Sequence, residues 1–315
     1  MGDDDNGRMQ PITGLEGTCT LTHWGVIRAS GADAAAFLHG QLTSDIQGLD
    51  TARARLAGYC SAKGRLQASF VVVRTGPEEL LLACSRSVLA ATLKRLSMFV
   101  LRSKCKLVDA TAEVPLYGMA GRAAVTAAGA ALPWQRIDDA GAVRVRLPDA
   151  EGVVRALQFG GTPPEPGTLA LDRWQWLELR SGVPTIEAAT VDAFVPQMVN
   201  FELTGGVDFK KGCYPGQEIV ARSQYRGTIK RRMFLFDVEA PAAAGQEVFH
   251  DGDPAQPAGM VVNAAAHPVS GSSVLVEVKL AALAEGGLHL GAIGGPVLAR
   301  GALPYGIPVD AAEAA

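Results

Sequence analysis

The stretch Val207-Asp-Phe-Lys-Lys-Gly-Cys-Tyr-Pro-Gly-Gln-Glu-Ile-Val220 places a thiol (Cys213), an ammonium (Lys211), an amide (Gln217) and a carboxylate (Glu218) on one short turn. Gly212 and Gly216 allow that turn backbone geometry that other residues resist. An ammonium near a thiol favours thiolate, the form that attacks electrophiles and binds metals. Cys213 is therefore a candidate nucleophile or metal ligand, tuned by Lys211. The competing reading is a tight turn with an inert cysteine, because most single cysteines only fill space.

A second candidate is Glu178. At helical spacing it shares a stripe with Leu171 and Trp174, so its carboxylate faces an apolar wall and needs donors there. From the residues alone, an ion pair with Arg173 or Arg222 and a contact with a ligand are equal alternatives. The whole chain carries a net charge of −3, yet its cations cluster. Lys94, Arg95, Arg102, Lys104 and Lys106 lie in a stretch without a carboxylate. A second basic stretch runs from Asp208 to Arg232. Such patches on an acidic protein imply a local anion site, for which an anionic small molecule, an acidic protein or RNA would qualify; two separately solvated faces are the alternative.

These residues must be held by a mixed framework. Ser30-Gly-Ala-Asp33 has the form of a capping box ahead of a short helix, 34–38, that stops near Gly40. Residues 58–74 read as a hairpin turning at Ser61-Ala-Lys-Gly64. Leu89, Leu93, Leu96 and Val100 give a helix over 87–101. Strands are expected at 114–119 and 151–158, a small-residue helix or loop at 123–131, and a helix over 169–180 closed by Gly182. From about Lys230, short strands near 232–236, 246–250, 260–262 and 274–278 alternate with Gly, Pro and Asp, as in a small antiparallel barrel. Without a βαβ rhythm, the fold class is α+β. The expected organisation is a flexible acidic tail over 1–14, an α+β region over 15–229, a barrel over 230–308 and a flexible tail over 309–315.

Composition narrows the function. With 315 residues, 48% hydrophobic and 19% charged, the chain can bury a large core across more than one domain. Cys19, Cys60, Cys84, Cys105 and Cys213 are odd in number and never form Cys-x-x-Cys, which argues for a reducing, cytoplasmic setting and against a zinc ribbon. The acidic N-terminus lacks the features of a signal peptide, and no apolar run reaches membrane-spanning length. His23, His39, His250, His267 and His289 show no ligand spacing and read as surface or satisfied interior residues. Gly291-Ala-Ile-Gly-Gly-Pro296 ends in proline with no helix behind it, which argues against a nucleotide loop. Trp174 and Trp176 read as core. An aromatic–basic RNA platform is missing from the sequence, so no direct nucleic-acid contact is expected.

Lys211-Gly-Cys-Tyr-Pro-Gly-Gln-Glu218 matches the K-G-C-[FY]-x-G-Q-E signature of the YgfZ family, which the chain resembles over most of its length. Supporting marks follow in order: Phe37-Leu-His-Gly-Gln-Leu-Thr-Ser-Asp45, Cys60-Ser-Ala-Lys-Gly-Arg65, Leu177-Glu-Leu-Arg-Ser-Gly-Val-Pro184 and Leu303-Pro-Tyr305. The resemblance implies the architecture of the glycine-cleavage T-protein, with interleaved α+β subdomains around a folate-sized funnel and a barrel behind. It implies tetrahydrofolate or a derivative as cofactor, polyglutamylated forms included. Partners would be iron–sulfur client or assembly proteins, with an indirect effect on tRNA modification. On the resemblance, Glu178 meets the pterin, and Gln41, Arg65 and Arg222 are further folate contacts. Lys211 and Cys213 form the working motif with Gly212, Tyr214, Gly216, Gln217 and Glu218, and no metal is resident. Where T-protein relatives carry an Asp-Asp pair, this chain has Ala68-Ser69, which speaks against conventional aminomethyl transfer. A folate-dependent aminomethyl- or methyltransferase and a direct tRNA-binding protein are the alternatives.

Overall fold

The structure is a computed structural model describing residues 12–139, 141–165, 167–225 and 229–308. Residues 1–11 of the acidic tail and 309–315 of the C-terminal tail lie outside the described residues.

Three antiparallel sheets form the frame. The first runs in the order β3 (Ala54–Cys60), β4 (Leu66–Gly76), β5 (Glu79–Ser85), β2 (Trp24–Ser30), β6 (Lys106–Asp109). Alternation along these strands gives the sheet two apolar faces. One face packs Ala68, Val72, Leu80 and Leu82 against α1 (Ala34–His39) and α2 (Arg86–Phe99). The other, with Leu56, Val71, Val73 and Leu81, turns to the centre of the molecule.

The second sheet has the order β1 (Gly17–Thr20), β7 (Leu116–Ala120), β10 (Val153–Phe159), β9 (Ala142–Ala150), β8 (Arg136–Asp139). Helix α3 (Arg122–Ala128) covers its outer face through Ala124, which packs with Met119 and Ala156. Strand β1 precedes the whole first sheet yet pairs with β7, which follows it, so the two sheets are interleaved.

The third sheet is a nearly closed barrel in the order β15 (Leu288–Leu290), β12 (Glu247–His250), β13 (Gly259–Ala266), β14 (Ser272–Lys279), β11 (Arg231–Val238), β16 (Leu298–Arg300). A bridge between His289 and Val297 brings its edges together, and the glycine stretch 291–296 forms the connecting turn.

Helix α4 (Leu171–Arg180) sits between these layers, with Trp174, Trp176, Leu177 and Leu179 buried. Trp174 lies on Gly118 of β7, where an added Cβ would come within 2.6 Å of the indole. Trp176 donates its indole N–H to Ser273 Oγ in the barrel at 3.0 Å.

The α+β class and the C-terminal barrel expected from the sequence are present. Two local expectations need correction. The capping box does not form: Asp33 instead accepts the backbone N–H of Lys104 at 2.7 Å. Helix α2 stops at Phe99, and Leu101 takes a left-handed φ of 42°. Strands β1, β2, β5, β6, β8, β9, β15 and β16 gave no clear turn-bounded alternation in the sequence. Among the described residues, no helix is long and apolar enough to cross a membrane.

The barrel is joined to the segment before it by a buried ion pair. Arg232 of β11 donates to the Glu202 carboxylate and, at 3.0 Å, to Gln197 O. Burial raises the Glu202 carboxyl above its ordinary value, with Arg232 opposing. We expect Arg232→Met to destabilise the protein by about 3 kcal/mol, because Glu202 is left buried and unpaired. Adding Glu202→Leu should restore most of that loss, as read by the midpoints of urea unfolding.

Candidate functional site

The cysteine motif is a strap laid across the β3–β4 hairpin and ending in α5 (Gln217–Tyr225). The hairpin turn is closed by Gly64 N–H donating to Ser61 O at 2.9 Å. Gly216 has φ 77°, and a Cβ there would stand 2.3 Å from Ser61 O and 2.6 Å from Gly64 Cα. Gly64 has φ 70°, and its own Cβ would meet Ile219 of α5 at 2.8 Å. Backbone therefore presses on backbone, which only glycine permits at both positions. The Cys60–Arg65 and Lys211–Glu218 motifs, remote in sequence, form one structure.

Lys211 fixes the front of the strap. Its buried ammonium donates to Leu42 O at 2.8 Å and to His39 O at the end of α1, and lies 4.9 Å from the centre of the Tyr214 ring. Burial pushes its pKa down to about 8, against Asp45, Asp208 and Cys213, which favour the charged form. Beside it His39 Nδ1 pairs with Asp45 at 3.0 Å. Cys213 is exposed and unpaired as a thiol, whereas burial pushes the Cys60 and Cys84 thiols up to about 12. Lys211 thus spends its hydrogen bonds on carbonyls, and any influence on the thiol acts through space. Gln217 Nε2 donates to Gly212 O at 3.5 Å, and Glu218 is exposed.

Glu178 lies elsewhere, in the wall between a narrow slot and a wider cleft. The slot holds about 40 Å³ of free space among Trp24, Leu56, Val71, Trp134 and Leu157, with Ser69 and Arg155 as polar lining. The cleft, about 380 Å³, is lined by His23, Arg86, Gln175, Glu187 and Asn263. Glu178 accepts a 2.7 Å hydrogen bond from His23 Nε2; neither Arg173 nor Arg222 takes that place. Arg155 is buried over Trp174 and donates from Nε to Pro148 O at 3.2 Å, while its Nη1 has no partner. Burial lowers its pKa to about 10, with Glu178 the leading opposing charge. Glu187 accepts from Asn263 Nδ2 at 2.8 Å, and burial raises its carboxyl. Ser69 faces the slot and its Oγ accepts Ile186 N–H at 3.0 Å; Ala68 points to the opposite core.

The predicted residues therefore divide into two groups. Lys211, Gly212, Cys213, Tyr214, Gly216, Gln217 and Glu218 form the strap, with Gln41 next to the Leu42 carbonyl that Lys211 holds. Glu178 stands in the slot wall. Gln41, Arg65 and Arg222 line neither slot nor cleft: Gln41 keeps a buried, unpartnered Oε1, Arg65 donates to Ala193 O, and Arg222 is exposed on α5. His23 and Arg155 were not singled out in the sequence. No periodic pattern marks His23, although Arg155 in an otherwise apolar strand was a signal. Among the described residues, no three His, Cys, Asp or Glu side chains gather as a metal site.

No protein-family model matches the chain. A tRNA-modifying protein YgfZ of Edwardsiella ictaluri is 33% identical over 243 residues, spanning 68% of this chain and 69% of that protein. The chain belongs to the YgfZ family. A second YgfZ, from Photorhabdus laumondii, is 33% identical over 240 residues, with 68% and 69% covered. The glycine cleavage system aminomethyltransferase T of Bartonella henselae superposes with a TM-score of 0.70 at 16% identity, over 92% of this chain and 86% of its own, which establishes the T-protein fold. Within this YgfZ-family fold, the glycine contact between strap and hairpin should be a strong stability determinant. Gly216→Ala is expected to cost about 2 kcal/mol or more in urea unfolding, through backbone strain and collision. Cys213→Ala, at an exposed position, should stay within about 0.5 kcal/mol of the parent.

Proposed function

We propose that this protein is a folate-binding accessory factor that supports the assembly or repair of iron–sulfur proteins, with tRNA modification affected indirectly through such enzymes. The observation that carries the folate reading is the pairing, at one junction, of the Glu178 carboxylate with the unpartnered Nη1 of buried Arg155. A buried donor without a partner is costly, so a ligand that supplies an acceptor is favoured there. A pterin has N–H groups for a carboxylate and a carbonyl for a guanidinium, so these residues fit its edge where slot and cleft meet. A reduced folate would supply one-carbon chemistry when bound. His23 would hold Glu178 in place from behind, and the apolar slot would exclude water.

Ser69 occupies the slot-facing position at which the transferase relatives carry a carboxylate. Its hydroxyl cannot steady a developing cation as a carboxylate does, and its Oγ is already committed to Ile186 N–H. The scaffold is therefore read as a binder without aminomethyl transfer. The relatives' name supports a link to tRNA modification. Exposed Cys213 on a rigid strap supports a role in meeting a partner protein.

Calorimetry with tetrahydrofolate should show binding that falls about tenfold to a hundredfold in Glu178→Gln, the scale of one charge-assisted hydrogen bond. Unchanged affinity would remove Glu178 from the site. With glycine-cleavage partners and the aminomethyl-lipoyl substrate, folate-dependent ammonia release should be absent; robust turnover would restore the transferase reading. Cys213→Ser should accumulate normally and bind folate, yet fail to restore aconitase-type activity in cells lacking the native protein under oxidative stress. Cys19, Cys60, Cys84 and Cys105 should each be replaceable without that loss. Full rescue by Cys213→Ser would reduce the motif to a structural turn.

A further inference from the structure

Helix α2 ends in a tip that the core does not cover. Leu89 and Leu96 are buried and Leu93 and Val100 pack against them in part, which leaves Met98 67% exposed, Phe99 47% and Leu101 87%. Single apolar side chains are common on protein surfaces, but three large ones on one turn form a patch that marks an interaction site. The turn is held rather than loose. Ser103 N–H donates to Val100 O at 2.8 Å. Asp33 clasps Lys104 from both sides: its carboxylate accepts the Lys104 N–H at 2.7 Å, and its own N–H donates to Lys104 O at 3.1 Å. Gly31 lies against the same carbonyl, where a Cβ would come within 2.2 Å. Between these contacts Leu101 keeps its left-handed φ of 42°, which a bulky residue adopts only where its surroundings impose it.

Cations flank the tip on both sides. Lys94 stands one helical turn before Met98 on the exposed face, and Arg102, Lys104 and Lys106 follow Leu101. All four are exposed, and among the described residues none of their side chains enters an ion pair or a hydrogen bond, whereas Arg95 turns to the Tyr59 hydroxyl. No carboxylate lies between residues 93 and 106, in a chain whose net charge is −3. A helix C-terminus favours nearby cations, which accounts for part of this charge but not for the apolar side chains set among it. The tip projects and lines neither the slot nor the cleft. A protein partner would need a socket both apolar and acidic in the matching pattern. An anionic lipid interface offers that combination everywhere on its surface, with phosphates at the level of the cations and hydrocarbon beneath.

We infer that the turn after α2 is a membrane-surface anchor, in which Met98, Phe99 and Leu101 enter the interface of an anionic bilayer while Lys94, Arg102, Lys104 and Lys106 meet its phosphates. No spanning segment is needed, and neither Glu178 nor Cys213 takes part, so the inference stands apart from the folate reading. Three apolar side chains and four cations give a reversible attachment, comparable to that of a single lipid chain.

The test is co-sedimentation of the full-length protein with vesicles of phosphatidylcholine, and with vesicles in which about a third of the lipid is phosphatidylglycerol. The parent should partition onto the anionic vesicles at least about tenfold more strongly than onto the neutral ones, and salt should weaken that binding. Phe99→Ser/Leu101→Ser should lower it about tenfold. Lys104→Gln/Lys106→Gln should lower it by a similar factor of about ten, whereas Lys63→Gln/Lys230→Gln, which removes equal charge elsewhere, should change it by less than about threefold. All these positions are exposed, and the thermal midpoint of each variant without lipid checks that the fold is kept. Binding that survives the serines, or that falls equally in the Lys63/Lys230 variant, would overturn the anchor. Failure of the parent to bind anionic vesicles would also overturn it and leave the tip to an acidic protein.

Discussion

The molecule is organised around the burial of α4. A ten-residue helix with four buried large side chains is the surface on which the other layers are assembled. Trp174 needs Gly118 beneath it, because any side chain on that strand would occupy the place of the indole. Trp176 reaches the other way and gives its N–H to the barrel. Each buried tryptophan takes up to about 250 Å² out of water, so the second sheet and the barrel are positioned by one short element. The charged end follows the same logic: Arg180 pairs with Glu151 of the second sheet's hairpin and Asp237 of β11. The helix that makes the core also makes the site. With 3.6 residues per turn, seating Trp174 and Leu177 in the core brings Glu178 to the slot, beside its apolar wall.

The same periodicity explains what could be read from the chain. Helices α2 and α4 were legible because their apolar residues recur on one face, and the β3–β4 hairpin because glycine punctuates its turn. The barrel was legible from its short strands and breakers. Strand β1 was not, because four residues carry no usable alternation and its partner lies almost a hundred residues away; only the second sheet defines it. The candidate site divides in a similar way. Cys213 and Lys211 were visible as unusual chemistry on a glycine-shaped turn, and Glu178 as a carboxylate on an apolar stripe. His23 was not, because its contact with Glu178 depends on which surfaces the interleaved sheets bring together. Lys211 shows the limit of local reading from the other side. Two positions from a thiol it looks like a modulator of sulfur, but the end of α1 supplies carbonyls that claim its ammonium.

That second use of Lys211 bears on why the strap is rigid. An exposed thiol on a loose loop would sample many orientations and find many partners. Here Lys211 pins one side to α1, Tyr214 is buried under the ammonium, and Gly216 is pressed onto the hairpin. Cys213 is exposed between fixed points, so its thiol is held in a narrow range of orientations.

Strand β4 connects the two halves of the site. Its leading turn carries Gly64, on which the strap rests, and Ser69 farther along faces the slot. What the strand does transmit is position: Gly64 moves only if the hairpin moves, and the hairpin carries the slot-facing residues Ser69 and Val71. Ser69 is tied through its Oγ to Ile186 N–H, so the slot end of the strand is anchored as well. The physical consequence is that the slot-facing surface at one end of β4 and the strap that presents Cys213 at the other share a single element.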